Sequence, residues 1–315
     1  MPNFKKETDF LNFIYNKFRR DKKVSQIMEE LFIGLQEIHH NLSKQETQNF
    51  ARLCLNHPLK KIIHQDPLTF RSFSKPRGYP GDAILLDYIY KENYIDEELE
   101  EASPLGQKIY EYTFSTSACR AVRERRNFIA QKIDEMANQK REPHILSLAC
   151  GHLNEAHYIQ AFPKKLIGRF VACDQDLESL KRVEKKFSKY KIECHSGKIE
   201  EFAKCLAEVG QFDLIYALGL FDYLPQKTAQ ELTKIMFNAL NPGGTILIAN
   251  FRPDIKERGY METFMDWFLF YRDEPEMNDL SAEISSKDYS QKTFIEKNND
   301  IIFLEIEKLK NSQIF

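Results

Sequence analysis

The 315-residue chain has few of the features that mark several large protein classes. Its six cysteines (Cys54, Cys119, Cys150, Cys173, Cys194, Cys205) are scattered and form no Cys-x-x-Cys pair, which argues against a disulfide framework or a zinc site and for individually buried, reduced thiols. The eight histidines show no metal-ligand spacing, and His39–His40 reads as an exposed pair on a helix. No apolar run is long enough to span a bilayer, and Met1–Lys6 leads into a mixed apolar and charged run rather than a leader. A cytoplasmic protein is the expectation. There is no basic excess: 45 basic and 47 acidic residues leave a formal net charge of -2, so a nucleic-acid-binding body is not expected. Nor is there an internal repeat or a low-complexity segment.

Hydrophobic residues make up 42% of the chain, which rules out global disorder and allows two packed domains. Up to about residue 141 the pattern is helical. Phe10, Leu11, Phe13, Ile14 and Phe18 share one helical face, as do Ile27, Met28, Leu31, Phe32, Leu35 and Ile38. Between His64 and Asp87 the residues Pro67, Pro76, Gly78, Pro80 and Gly81 predict turns. One long charged helix is expected from Leu105 to about Gln139, with Arg120, Arg123, Arg125 and Arg126 on a solvated face. Glu142-Pro143 ends it and places a domain boundary between residues 141 and 142.

After Pro143 short β-rich runs alternate with amphipathic runs. Strands are expected at His144–Ala149, Leu166–Cys173, Lys191–His195, Phe212–Ala217 and Thr245–Asn250. Helices are expected at Asn154–Ala161, Leu177–Phe187, Glu200–Val209, Lys227–Leu240 and Tyr260–Tyr271. This rhythm predicts an α/β fold, a doubly wound and mostly parallel sheet, preceded by a helical N-terminal domain. Two last runs, Gln291–Glu296 and Ile301–Lys308, flank Asn298-Asn299-Asp300 and predict an antiparallel hairpin.

In such a sheet a ligand sits outside the carboxyl ends of the strands, beside the first one. The loop there, Ala149-Cys150-Gly151-His152-Leu153-Asn154-Glu155, has one glycine and lacks the G-x-G-x-x-G of a dinucleotide site. Bulky His152 and Leu153 and the acidic Glu155 disfavour a diphosphate, which needs close backbone approach and a positive helix terminus. They suit S-adenosylmethionine (SAM), a phosphate-free nucleoside carrying a sulfonium and an ammonium. Ala149, Gly151, His152 and Glu155 are the loop's cofactor candidates. Asp174, with Gln175 beside it at the tip of the second strand, is placed to grip a ribose diol; Asp176 reads as a helix cap. Ile199 and Glu200 would edge the adenine, and Leu218 and Gly219 after the fourth strand would floor the pocket.

These segments resemble the class I SAM-dependent methyltransferases, through Leu146–Glu155, Val171–Asp176, Phe212–Leu224 and Leu240–Asn250. The resemblance implies a seven-stranded sheet with a reversed final strand. A narrower likeness, through Lys75–Asp82, Ala149–Ala156, Gly219–Leu224 and Asn250–Arg272, is to the bacterial methyltransferases of 3-hydroxypalmitic acid methyl ester biosynthesis, a quorum-sensing signal. Asn154 and Phe221 depart from that family, which often has a basic residue and a tyrosine there. The resemblance implies carboxyl O-methylation of a small, hydrophobic, lipid-like acid.

A carboxylate acceptor is ionised at neutral pH and needs no general base, whereas a hydroxyl or amine does. The expected acceptor groups are Arg77 and Tyr79, which would orient the carboxylate, and Asp82, which would lock Arg77. Tyr223 and Asn250 would border the methyl group. Arg252, Tyr260 and Arg272 would bind substrate along an aromatic stripe in which Trp267 and Phe268 are expected to be core. Two alternatives stand beside this one: a hydroxyl, amine or protein acceptor with His152, Tyr79 or Asp222 as proton acceptor, and a non-catalytic SAM-binding module.

Overall fold

The structure is a computed structural model, and it describes residues 4–20, 23–197 and 210–310. The chain folds into two compact units, residues 1–123 with 254–268, and residues 124–253 with 269–315. The division falls inside a helix, some way before the expected boundary at 141/142, and a segment from beyond the fifth strand joins the first unit.

The first unit is built from α1 (Lys5–Arg20), α2 (Val24–His40), α3 (Lys44–Asn56), α4 (Lys60–Ile63), α5 (Pro67–Ser74), α6 (Ala83–Tyr90), α7 (Ile95–Glu101) and α8 (Pro104–Phe114), with the start of α9 (Ser117–Gln139). Two helices occupy most of the stretch expected to be turns. Pro67 is the first residue of α5 behind the cap Asp66, where a missing N–H costs nothing. Asp82 caps α6 by accepting from the Leu85 N–H. Residues 64–66 and 75–82 remain turn or loop. The single helix expected from Leu105 to Gln139 is broken, because the Ser115 and Thr116 hydroxyls donate back to the Tyr112 and Thr113 carbonyls and end α8.

The second unit holds β1 (His144–Leu148), β2 (Arg169–Asp174), α10 (Leu177–Lys186), β3 (Ile192–Ser196), β4 (Phe212–Ala217), α11 (Gln226–Asn238) and β5 (Leu240–Phe251). After α12 (Arg258–Thr263), which belongs to the first unit, come α13 (Glu274–Asn278), β6 (Tyr289–Ile295) and β7 (Ile301–Lys308). The seven strands form one sheet in the order β3-β2-β1-β4-β5-β7-β6. The first five run parallel, and β7 pairs antiparallel with both β5 and β6. The doubly wound sheet and its closing hairpin are thus as expected. Leu146, Leu148, Val171, Ile215, Ile246 and Ile248 carry the core on one face of the sheet, with Met236 of α11 and Met277 of α13 among the side chains packed on it.

Three local expectations need correction. The fifth strand, expected to begin at Thr245, begins at Leu240, and Asn241–Gly244 form its irregular start, where the register with β4 shifts between Phe212 and Leu214. A Cβ on Gly244 would sit 2.8 Å from the Phe212 carbonyl oxygen, so only glycine allows that approach. The helix expected at Asn154–Ala161 is a single 3₁₀ turn, Asn154–His157. The helix expected at Tyr260–Tyr271 stops at Thr263, and Asp266 takes a left-handed φ of 49°. The short α12 crosses α2 closely: a Cβ on Gly259 would lie 2.6 Å from the Leu35 carbonyl oxygen. The helix expected at Glu200–Val209 lies outside the described residues.

Candidate cofactor crevice

The order β1-β4 at the centre of the sheet is the point where the winding reverses, so the loops after β1 and β4 diverge and leave a crevice between them. The β1 loop is held in an unusual shape. Ala149, Gly151 and Leu153 have φ of 51°, 54° and 49°, the left-handed region at alternate positions. For Ala149 and Leu153 this costs about 1–2 kcal/mol each. Glycine would take these dihedrals without that cost, so the loop keeps the backbone of a three-glycine turn with one glycine. Leu153 offsets its strain by complete burial.

Asp174, at the end of β2, fixes this loop. Its carboxylate accepts from the Gly151 N–H at 2.7 Å and from the Asp176 N–H at 2.9 Å. Burial pushes its carboxyl up, against these two N–H donors. A carboxylate has about four acceptor sites, so capacity remains for hydroxyls of a ligand. Gln175 beside it is exposed. His152 and Glu155 are buried, and Glu155 accepts from the Tyr216 hydroxyl at 2.7 Å. Burial raises the Glu155 carboxyl too, with Tyr216, Arg125 and Arg126 drawing it back down. Leu218 and Gly219 are half-buried at the end of β4. These cofactor candidates sit at one edge of the sheet; Ile199 and Glu200 lie outside the described residues.

Asp222 occupies the 3₁₀ turn Phe221–Tyr223. Its side chain accepts from the Phe251 N–H at 2.8 Å and its carbonyl from the Phe270 N–H at 2.7 Å. Burial pushes the Asp222 carboxyl up to about 6, opposed by Arg125, the Phe251 N–H and Arg272.

Several substrate and catalytic expectations are revised by the packing. Arg272 is 2% exposed and donates four hydrogen bonds, to the Gln226 side chain, the Phe221 and Leu224 carbonyls and the Asn250 side chain, at 2.6–2.8 Å. Asn250 is fully buried, and its amide donates to the Phe251 and Phe270 carbonyls. Both side chains are spent on tying the β5 end to the segment after it, so neither is available to substrate or methyl. Tyr260 is 1% exposed; it stacks on Phe32 at 4.2 Å, and its hydroxyl meets Thr69 at 2.7 Å inside the helical unit. It is core rather than a channel wall. Asp82 is held by Arg71 through two contacts at 2.9 and 2.6 Å, not by Arg77 as expected. Arg252 donates to the Asn299 carbonyl in the β6–β7 turn. Arg77, Tyr79 and Tyr223 are half-buried. Trp267 is buried, as expected, but Phe268 is 40% exposed. His39 is not an isolated surface group; it contacts Glu262 at 3.0 Å.

The residues missed from the sequence are on α9. Arg125 and Arg126 are 3% and 7% exposed, not solvated. Arg126 lies 4.1 Å over the Tyr158 ring. Arg125 lies against the backbone just after β4, where a Cβ on Gly219 would be 3.6 Å from its Nη2. A signal was present: Ala118, Ala121, Val122, Ile129, Ala130 and Ile133 trace a buried stripe at three- and four-residue spacing, and positions 125 and 126 fall within it.

Residues 145–244 match the model of the methyltransferase domain family. No curated protein matches the chain. Among solved structures, a possible exported protein from Bordetella parapertussis aligns with a TM-score of 0.54 at 15% identity, over 82% of this chain and 97% of that one. The N-methyltransferase NodS from Bradyrhizobium japonicum, solved with S-adenosyl-L-homocysteine (SAH), aligns with a TM-score of 0.43 at 14% identity, over 59% and 86%. A SAM-dependent methyltransferase from Clostridium acetobutylicum aligns with a TM-score of 0.43 at 17% identity, over 59% and 92%. No helix among the described residues is long and apolar enough to cross a membrane. Residues 145–244 thus carry a methyltransferase domain, which supports a SAM-dependent methyltransferase with SAM as its cofactor.

Proposed function

We propose that this enzyme methylates the carboxylate of a small hydrophobic acid, of the class of a hydroxylated fatty acid. The cofactor's residues in this reading are Asp174 for the ribose, the Ala149–Leu153 turn for the nucleoside and amino-acid portions, and Glu155, Leu218 and Gly219 around them. The fit rests on charge and shape: the crevice carries acids at Asp174 and Glu155 and the buried Leu153, which accommodate a cationic, phosphate-free nucleoside and repel a diphosphate. When bound, SAM supplies an electrophilic methyl group on sulfur. The protein's own task is to hold the acceptor oxygen in line with that group and to exclude water.

The observation that carries the carboxylate reading is how few bases the crevice offers among the described residues. His152 is buried, Glu155 accepts from Tyr216, and Asp222 accepts from the Phe251 N–H. An acceptor that arrives ionised needs none of them. In this reading Arg77 and Tyr79 orient the carboxylate, and Tyr223 borders the methyl. Arginine and tyrosine are suited to this by planar and hydroxyl donors. The two-point Arg71–Asp82 pair anchors the end of the loop that carries Arg77 and Tyr79.

The test is to supply methyl-labelled SAM with a 3-hydroxylated fatty acid and follow the product. A base-labile ester that releases labelled methanol is expected. Label in a base-stable ether, amine or polypeptide would overturn the carboxylate reading. The pH–rate profile is a second check. Flat turnover above about pH 6 fits an ionised acceptor, whereas a limb that rises through about 6 would assign Asp222 as a required base.

A further inference from the structure

We propose that Arg125 is the carboxylate-binding residue of the crevice, a role that rests on reading the crevice as the SAM site. The first observation is an unmet need. Nε and Nη1 of this guanidinium are buried and find no hydrogen-bond partner among the described residues. A guanidinium cannot shed its charge, and a buried donor without an acceptor costs more than most single contacts return. Burying an unpaired cation costs more still. A folded chain keeps such a group where a partner from outside completes it.

The second observation is placement. The guanidinium rests on Gly219, immediately past the carboxyl end of β4 and beside the reversal between β1 and β4. The two nearby acids do not meet its need. Glu155 accepts from the Tyr216 hydroxyl and Asp222 from the Phe251 N–H. Neither accepts from Nε or Nη1. They lend negative potential that makes burial of Arg125 tolerable while leaving its donors open. Arg126, one residue on, does not share the duty, since it is packed over Tyr158. The third observation is the counterexample of Arg272, equally buried in the same unit yet satisfied through four hydrogen bonds. Orphaned donors are therefore a property of this site and not of the unit's arginines in general.

A carboxylate supplies the opposite charge and two acceptor oxygens in the plane that a guanidinium prefers. Two bound molecules carry one: the amino-acid end of the cofactor, and the proposed acceptor. Calorimetry on the full chain separates them, using SAH, which keeps the carboxylate, and 5′-methylthioadenosine, which lacks the whole amino-acid end. If the cofactor's carboxylate is the partner, Arg125→Met weakens SAH at least tenfold and leaves 5′-methylthioadenosine unchanged, and Arg125→Lys recovers part of the loss. If the acceptor's is the partner, SAH binding stays within twofold while the KM for the hydroxylated fatty acid rises at least tenfold.

Equal losses for SAH and 5′-methylthioadenosine, or no change in either SAH binding or KM, would overturn the proposal. Wild-type protein that binds neither nucleoside would instead remove the crevice reading beneath it. Should the variants fail to fold, the wild-type Nε–H resonance of Arg125 serves. Slowed proton exchange on adding SAH but not 5′-methylthioadenosine supports the cofactor's carboxylate. Slowing only on adding the fatty acid to the SAH-loaded enzyme supports the acceptor's. No slowing with either overturns the role.

Discussion

Two regions lie at the carboxyl edge of the same sheet and are finished to different standards. Around Arg272 everything is matched: its guanidinium ties the carbonyls of Phe221 and Leu224 to Gln226 and Asn250, and Asn250 in turn holds the Phe251 and Phe270 carbonyls. Around Arg125 much is left open or strained: donors lack acceptors among the described residues, Ala149 and Leu153 sit in left-handed conformations, and Glu155 and Asp174 are carboxyls raised by burial. The first region is built for the folded chain alone. The second makes physical sense when a ligand contributes the missing groups, which is how strained and underfilled sites persist in stable proteins.

The contrast breaks most visibly if the clamp is cut. Arg272→Met removes four hydrogen bonds and strands the buried Leu224 carbonyl, so a loss of about 3 kcal/mol in stability is expected. Thermal denaturation without ligand measures it. A variant that melts with the wild type would show that the clamp is ornamental and that burial alone does not separate the two arginines.

Asp222 touches both regions, since Arg125 and Arg272 both draw its carboxyl down against the effect of burial. Its folded value of about 6 lies above the ordinary 3.8, so the folded state holds its proton more tightly than the unfolded chain does. Stability from this group is therefore fully present below about pH 4 and declines as pH rises through about 6. Its size is at most about 2–3 kcal/mol, from about 1.4 kcal/mol per pH unit. Asp222→Asn should flatten that part of the stability curve. An unchanged slope between pH 4 and 6.5 in urea melts would rule out this titration.

Asp174→Asn sharpens the crevice side. Its oxygens hold the Gly151 and Asp176 N–H groups, and an amide has one acceptor oxygen where the carboxylate has two. SAH affinity should fall by roughly 10- to 30-fold, about 1.4–2 kcal/mol. Calorimetry showing full affinity would move the ribose contact elsewhere.

The difference between the regions was only partly legible in the sequence. Strand and helix periodicity led to the sheet, the hairpin and the position of Asp174, because these follow from local hydrophobic spacing. Arg272 and Asn250 looked like site residues because they stand near the end of β5. Which of their donors are already spent is a matter of tertiary contact that spacing does not carry. Arg125 was hidden by its neighbours: Arg120, Arg123 and Arg126 made the segment look like a charged surface, although the apolar stripe on α9 runs through position 125. Asp82 was read with the wrong arginine, because the two turns of α5 that bring Arg71 to it lay in a stretch dominated by proline and glycine.

The smallest expected effect is the most direct probe of strain. Ala149 is half-buried with a φ of 51°, so its single methyl adds only a small contact at the edge of the core and meets its own backbone badly. Glycine there removes about 1 kcal/mol of left-handed strain but adds freedom to the unfolded chain, which takes back part of it. Ala149→Gly should therefore raise stability by about 0.5 kcal/mol or leave it level, where the same replacement inside an ordinary strand destabilises. At Leu153 the balance reverses, because a fully buried leucine is lost along with the strain, and about 2–4 kcal/mol of packing outweighs it. A matched pair of urea melts tests both signs. A clear loss at Ala149, comparable to that at Leu153, would mean that the turn's shape is not strained at that position.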